Sequence, residues 1–290
     1  MSEDLRAVVV TAADEADAPP RPTRTDSARV TWVLAKAAIR GAAQYRVNFV
    51  ILALLGIAYQ SSGFAFIAVV LSRFPSIGGW TFPEIAVLYA LRLLAHAVHL
   101  VPLHQLMSLD ELVRDGTFDR FLVRPLNPLI QVLTRRFSVN TLGDSVTAVA
   151  VLLFASSIAD VSWTPVHVLY AAAAVVGGAL IEGGLALGIT SMSFRFVEVW
   201  PARYLVDNVL LNFGSYPLSV FGFLAQWVMT WILPVAFIAW LPAAVILDRA
   251  SGLGVSGTIA WLAPVVGALW FALGYQVWRR MLRTYASTGN

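Results

Sequence analysis

The sequence predicts an all-α, polytopic membrane protein, and three observations carry that prediction. Hydrophobic residues make up 58% of the chain and charged residues 13%, with a mean hydropathy of +0.73; a soluble domain averages roughly 45–50% apolar and about 25% charged. The apolar residues gather in runs able to cross a bilayer, which takes roughly 20 residues of helix. The basic residues sit at the ends of those runs, nearly all on one side once the crossings alternate. The pI of about 9.4 therefore reflects membrane topology and gives no sign of a nucleic-acid partner. Cysteine is absent, which excludes disulfides, thiolate metal sites and cysteine nucleophiles.

Taken in order, residues 1–26 mix Ala, Pro, Arg and acidic residues without sustained apolar periodicity and predict a disordered cytoplasmic tail. Residues 27–46 place Arg29, Lys36, Arg40 and Gln44 on one helical face and Val30, Val33, Leu34 and Ala37 on the other. That pattern predicts a basic amphipathic helix lying in the headgroup plane, in contact with the lipid bilayer. Residues 47–290 predict a six-span transmembrane domain, with spans at Val47–Leu71, Ile85–Leu106, Ser138–Ala159, Val166–Met192, Val220–Trp240 and Thr258–Trp278. The apolar run Val146–Ile158 is too short to cross alone, so the third span must start before Asp144. Tyr204–Leu218 reads either as an interfacial helix or as the lower part of the fifth span. Leu241–Leu247 is too short to cross and predicts a hairpin or re-entrant piece.

With both termini cytoplasmic, seventeen of the twenty basic residues fall inside. Arg195 and Arg203 are counted there, in an inner loop. Only Arg73 and Arg249 fall outside, and Arg92 lies within the second span. Lys36 is the single lysine; the bias towards arginine suggests a GC-rich genome, hence a bacterial cytoplasmic membrane. A P-loop requires G-x-x-x-x-G-K-[ST], and Lys36 sits in LAKAA, so this chain has no Walker-type ATPase site.

The densest polar stretch is the loop 108–137, which predicts a compact folded unit on the cytoplasmic side. Leu109, Leu112 and Val113 share one helical face, with Asp110, Glu111, Arg114 and Asp115 between them. Gly116 stands where a left-handed cap would stop the helix. Phe118, Phe121 and Leu122 predict a second short apolar face, Pro125 forces Arg124 out of helical conformation, and Asn127-Pro128 predicts an N-cap with proline at the first helical position.

Ionisable residues inside the spans are candidates for a translocation pathway. Arg92, His96 and His99 share one face of the second span, and Glu182 and Asp144 lie in the fourth and third. Two readings of the Arg92 stripe stand together: a cavity lining, or an arginine satisfied at a helix end. Depth argues against pairing Arg92 with Glu182, since at 1.5 Å per residue they differ by more than about two helical turns. The glycines around Gly184-x-x-x-Gly188 predict close helix packing. No metal centre is predicted, because His96, His99, His104 and His167 form no H-E-x-x-H or similar pair. No nucleophile–base set is visible either, so the chain itself is not expected to be an enzyme.

The run Gly116-Thr117-Phe118-Asp119-Arg120-Phe121-Leu122-Val123-Arg124-Pro125-Leu126-Asn127-Pro128 resembles the G-x-[FL]-D-x-[FL]-L-x-[RK]-P-x-[ND]-P loop of a bacterial branch of type-2 ABC exporter permeases. Leu233-Pro234-Val235-Ala236-Phe237 with Leu241-Pro242-Ala243, and the tail at Arg283-Thr284-Tyr285, are similar to the same branch. The resemblance implies a permease that pairs with a second copy or a sister permease and with two copies of a separate P-loop ATPase subunit. That subunit would carry ATP and Mg²⁺; no cofactor is implied in this chain. It further implies that Leu109–Asp115 is a coupling helix stopped by Gly116, with Asp119, Arg120, Arg124 and Pro125 shaping the turn behind it. The second reading is a stand-alone proton-coupled secondary transporter, using Arg92, His96, His99, Asp144 and Glu182 as a relay.

Overall fold

The computed structural model describes residues 24–286, apart from 45, 75, 197 and 250–255. The tail expected over 1–26 lies outside the described residues up to 23; residues 24–26 already belong to the first helix. The described residues are helical, with one isolated bridge between Ile77 and Trp80. Helix α1 (Arg24–Ala43) keeps Arg29, Lys36 and Arg40 exposed and also leaves Trp32, Val33 and Ile39 uncovered. Apolar and basic side chains exposed on one helix suit a headgroup layer better than water.

Helices α2 (Arg46–Arg73), α3 (Phe82–Leu103), α7 (Asn140–Ile158) and α8 (Pro165–Ser191) form the apolar body. Between α3 and α7 lies the folded loop unit, holding α4 (Leu109–Arg114), α5 (Asp119–Leu122) and α6 (Pro128–Leu133). Helix α3 is central: from Ile85 to Ala95 nearly every side chain is buried, and it packs between α7 and α8. A helix apolar on all sides has no solvent face to keep. Helix α2 lies on α7 and leaves Val50, Leu54, Tyr59, Phe66 and Val69 uncovered.

Helix α13 (Ala263–Arg283), preceded by the single turn α12 (Gly257–Ala260), makes the tightest contact, along α8. A Cβ added at Gly267 would collide with the Gly177 carbonyl, and one at Gly274 with that of Gly184. Both contacts, and the Tyr170 hydroxyl donating to the Ala260 carbonyl at 2.6 Å, join residues ninety apart, so α8 and α13 run parallel. The seam uses glycines seven residues apart on each helix. Gly188, the second glycine of the expected G-x-x-x-G pair, only grazes the Gly274 Cα.

The region 200–249 departs from expectation. The continuous helix expected over Val220–Trp240 is broken. Instead α10 (Phe223–Trp231) and α11 (Trp240–Ile246) are separate helices, and the chain between them bends by 73°. Pro234 cannot continue α10, because it lacks the N–H and clashes with the preceding turn. The ends of this segment meet one loop: the Ser219 hydroxyl donates to the Gly78 carbonyl at 3.3 Å, and Arg249 donates to the Gly79 carbonyl at 2.8 Å and to Glu84 at 3.1 Å. A segment that returns to the level it left is re-entrant. Ahead of it, α9 (Trp200–Gly214) runs antiparallel to α3, from beside Met107 and Thr190 to the Arg92 side chain.

Among the described residues, four helical stretches are long and apolar enough to cross a membrane: Arg46–Arg73, Phe82–Arg114, Thr141–Ile158 and Pro165–Phe194, with a fifth if the bent pair counts as one span. Helix α13 falls short because Gln276, Arg279 and Arg280 dilute its apolar run, and α9 because it is short and carries Arg203, Asp207, Asn208 and Asn212.

Candidate functional site

Two connected places hold the polar chemistry. The first is the loop unit 104–137, which has an apolar core of its own. Leu106, Leu109, Leu112, Val113, Phe118, Phe121, Leu129 and Val132 are buried together with Phe194 and Trp278, from the ends of α8 and α13. Helix α4 ends at Gly116 with φ +67°, where Gly116 N–H reaches the Val113 carbonyl and Phe118 N–H the Leu112 carbonyl. The left-handed conformation is open to glycine and strained for other residues. Asn127 Oδ1 accepts from Leu129 N–H at 2.9 Å and starts α6 behind Pro128.

Two contacts that sequence reasoning missed hold this unit. Gln131 is buried, and its side-chain amide donates to the Phe121 and Leu126 carbonyls, both at 2.9 Å, closing the turn over α5. Gln131→Leu is therefore expected to leave the buried Phe121 carbonyl and the half-buried Leu126 carbonyl without this partner and to loosen the unit by about 1–3 kcal/mol, seen as faster hydrogen exchange confined to residues 118–133. The second is the Tyr285 hydroxyl, which donates to Asp119 Oδ1 at 2.7 Å and ties the chain's end to the loop. Burial, with Asp119 beside it, pushes the Tyr285 hydroxyl up to about 12. The contact is thus fully present below the ordinary tyrosine pKa near 10 and is lost only as pH climbs from there through 12.

The outward surface differs in part from expectation. Glu111, Arg114, Asp115, Arg120, Arg124 and Pro125 are exposed. Leu122, expected beside Phe118 and Phe121 on a buried face, is instead 44% exposed, and Val123 is 84% exposed. Helix α5 is a single turn, so the residues at its end swing away from the Phe118–Phe121 core. Asp110, expected on the outer face of α4, lines a cavity of about 160 Å³ shared with Met107, Thr190, Arg203 and Asp207.

That cavity leads to the second place, a cleft of about 260 Å³ between α3 and α9. Arg92, His96 and His99 line one side, Arg203, Tyr204, Asp207 and Asn208 the other, with Tyr59 and Gln60 of α2 closing it. Arg203, read from sequence as an inner-loop charge, is buried here, its Nε 3.0 Å from Asp207 Oδ2 and 3.1 Å from Oδ1. Their i,i+4 spacing was the available signal. Glu182 sits behind the histidines, its Oε2 2.6 Å from His96 Nδ1 and 3.2 Å from His99 Nδ1. Asp144 is buried apart from them, facing the Gln60 side chain. Of the five candidate pathway residues, three thus line the cleft, Glu182 backs two of them, and Asp144 stands one residue behind.

The pattern of apolar helices, charged folded loop and polar cleft can be set beside known proteins. A family model described as ABC-2 family transporter protein matches residues 57–289. No curated protein and no solved structure matches the chain.

Proposed function

The chain belongs to the ABC-2 transporter family, and from that premise we propose that it is the transmembrane subunit of an ATP-driven exporter. It forms half of the translocation pathway and is driven by a separate ATPase through α4. The observation that carries this reading is the cytoplasmic unit, a small buried core with a charged outer face, fastened to the ends of α8 and α13. A mere connector would not need a core of its own, whereas a lever must be stiff.

In this reading two copies of a P-loop ATPase, holding ATP and Mg²⁺, seat α4 against a pair of permeases, either two copies of this chain or this chain and a sister. Closure of the ATPases pushes on Glu111, Arg114 and Asp115. The push passes through Leu109, Leu112 and Phe118 to Phe194 and Trp278, and so to α8 and α13. Helix α3 continues into the same unit through His104–Ser108, so its polar face is displaced against α9 and the cleft changes its opening. Six crossings follow if α9 with residues 215–220 is the fifth and α13 the sixth. The parallel run of α8 and α13 supports this, since an odd number of crossings must separate them. Both termini then lie in the cytoplasm of a bacterial cell, and the re-entrant pair α10–α11 covers the outer side.

Replacing Glu111, Arg114 and Asp115 together with alanine is expected to cut ATP-driven transport at least tenfold in reconstituted vesicles. The purified chain should keep its elution position and heat stability. Unchanged coupled transport would remove α4 as the docking element. The His96–Glu182 contact of 2.6 Å favours, as a second reading, a proton-coupled transporter working alone. That reading requires transport under a pH gradient without any ATPase.

A further inference from the structure

We infer that His96, His99 and Glu182 form a binding site for one divalent d-block cation of the zinc class, entered from the cleft between α3 and α9. The inference stands on this chain's own residues and does not depend on how the chain is driven. Each of the three residues offers one ligand atom, and these atoms lie within 4.8 Å of one another. The two histidines come from successive turns of α3 and the carboxylate from α8, so the ligands are held by two packed helices rather than by a loop. A tetrahedral ion bound at about 2.0–2.2 Å sets its ligand atoms about 3.3 Å apart. His99 and Glu182 already stand at 3.2 Å, and His96 needs to draw back by less than about 1 Å from its 2.6 Å hydrogen bond. It is free to do so on the cleft side, where its side chain is 26% exposed.

The buried side of the cluster points the same way. The His99 side chain is 4% exposed and that of Glu182 1%, yet Glu182 Oε1 and both ring nitrogens of His99 lack a partner in hydrogen-bonding geometry. Groups of this kind are rarely left unpaired in a protein interior, and coordination through His99 Nδ1 would give one of them a partner. Two imidazoles with one carboxylate select zinc, cobalt or nickel over magnesium and calcium, which prefer all-oxygen sites. The charges around the cleft also allow it. Arg203 and Asp207 pair with each other, and Glu182 with Asp144 outweighs Arg92 by one negative charge. The fourth coordination position faces the cleft and is left for water or a ligand group.

The test is a Co²⁺ titration of the full chain in lipid nanodiscs after chelator treatment. One Co²⁺ per chain is expected, with visible absorption of the intensity typical of four-coordinate cobalt, removed by Zn²⁺. His99→Ala and Glu182→Gln are each expected to weaken binding at least tenfold, while His104→Ala and His167→Ala leave it in place. Glu182→Gln keeps the side-chain shape and decides the matter should His99→Ala fail to fold. Absence of the absorption, or binding that survives Glu182→Gln unchanged, would overturn the assignment.

Discussion

Gly267→Leu is expected to prevent α13 from seating on α8. At Gly267 the space for a side chain is already taken by the Gly177 carbonyl and Cα. Main chain cannot rotate away as a side chain can, so the two helices must part. Between membrane helices close packing is itself a main source of attachment, because lipid tails are as apolar as leucine. Parting the helices also opens the second contact, Gly274 against Gly184. A loss of about 3 kcal/mol or more follows, equivalent to a fall of about 10 °C in the unfolding midpoint. Gly222→Ala serves as the control, since a Cβ there meets nothing within 4 Å. Heat-stability measurements on detergent-solubilised chain should separate the two; equal stability would mean that α8 and α13 do not meet along this seam.

Phe118→Ala is expected to melt the folded loop unit 104–137 while the helical body stays folded. Phe118 is fully buried, with ring centroids of Phe194, Tyr285 and Phe121 at 4.8, 5.3 and 6.0 Å. Removing a buried phenyl ring costs about 3–5 kcal/mol, a large share of what so small a core can supply. The main core around α3 is a separate cluster that does not include Phe118. Trypsin should therefore cut at the exposed Arg114 or Arg120 at least tenfold faster in the variant, with the rest of the chain resistant. Phe118→Leu should give a smaller effect. Cleavage of Phe118→Ala at the parent rate would show that the unit does not depend on this core.

Where local chemistry decides the structure, the sequence was readable. Gly116 needed a left-handed backbone, Asn127-Pro128 carried its own start signal, and Pro125 kept Arg124 out of a helix. Each of these acts over a few residues. The charges of α9 hid its character: Arg203 and Asp207 lower the average hydropathy although they neutralise each other one turn apart. A window average counts charges and cannot see pairs. The re-entrant segment was legible only in part: Leu241–Leu247 was too short to cross, but α10 and α11 together are as apolar as a span, and only the contacts of Ser219 and Arg249 reveal that they double back.

The cleft shows the same division. His96 and His99 were visible on one face, but the depth argument set Glu182 more than about two turns from Arg92, whereas it meets His96, four residues along the helix from Arg92. Nothing local joins residue 182 to residue 96; the tight glycine packing of α8 brings the carboxylate there. The glycine seam itself left a trace, two pairs each seven residues apart and offset by ninety, whereas the more familiar G-x-x-x-G spacing pointed to Gly188, which packs loosely.

The central claim is that a separate ATPase drives this chain through α4. The most direct measurement is purification of the chain in mild detergent from its native host membrane, with identification of what accompanies it. The account predicts a P-loop ATPase in equal amount, lost when Leu109, Leu112 and Val113 are disrupted. A chain that purifies alone and moves solute under a pH gradient would contradict it.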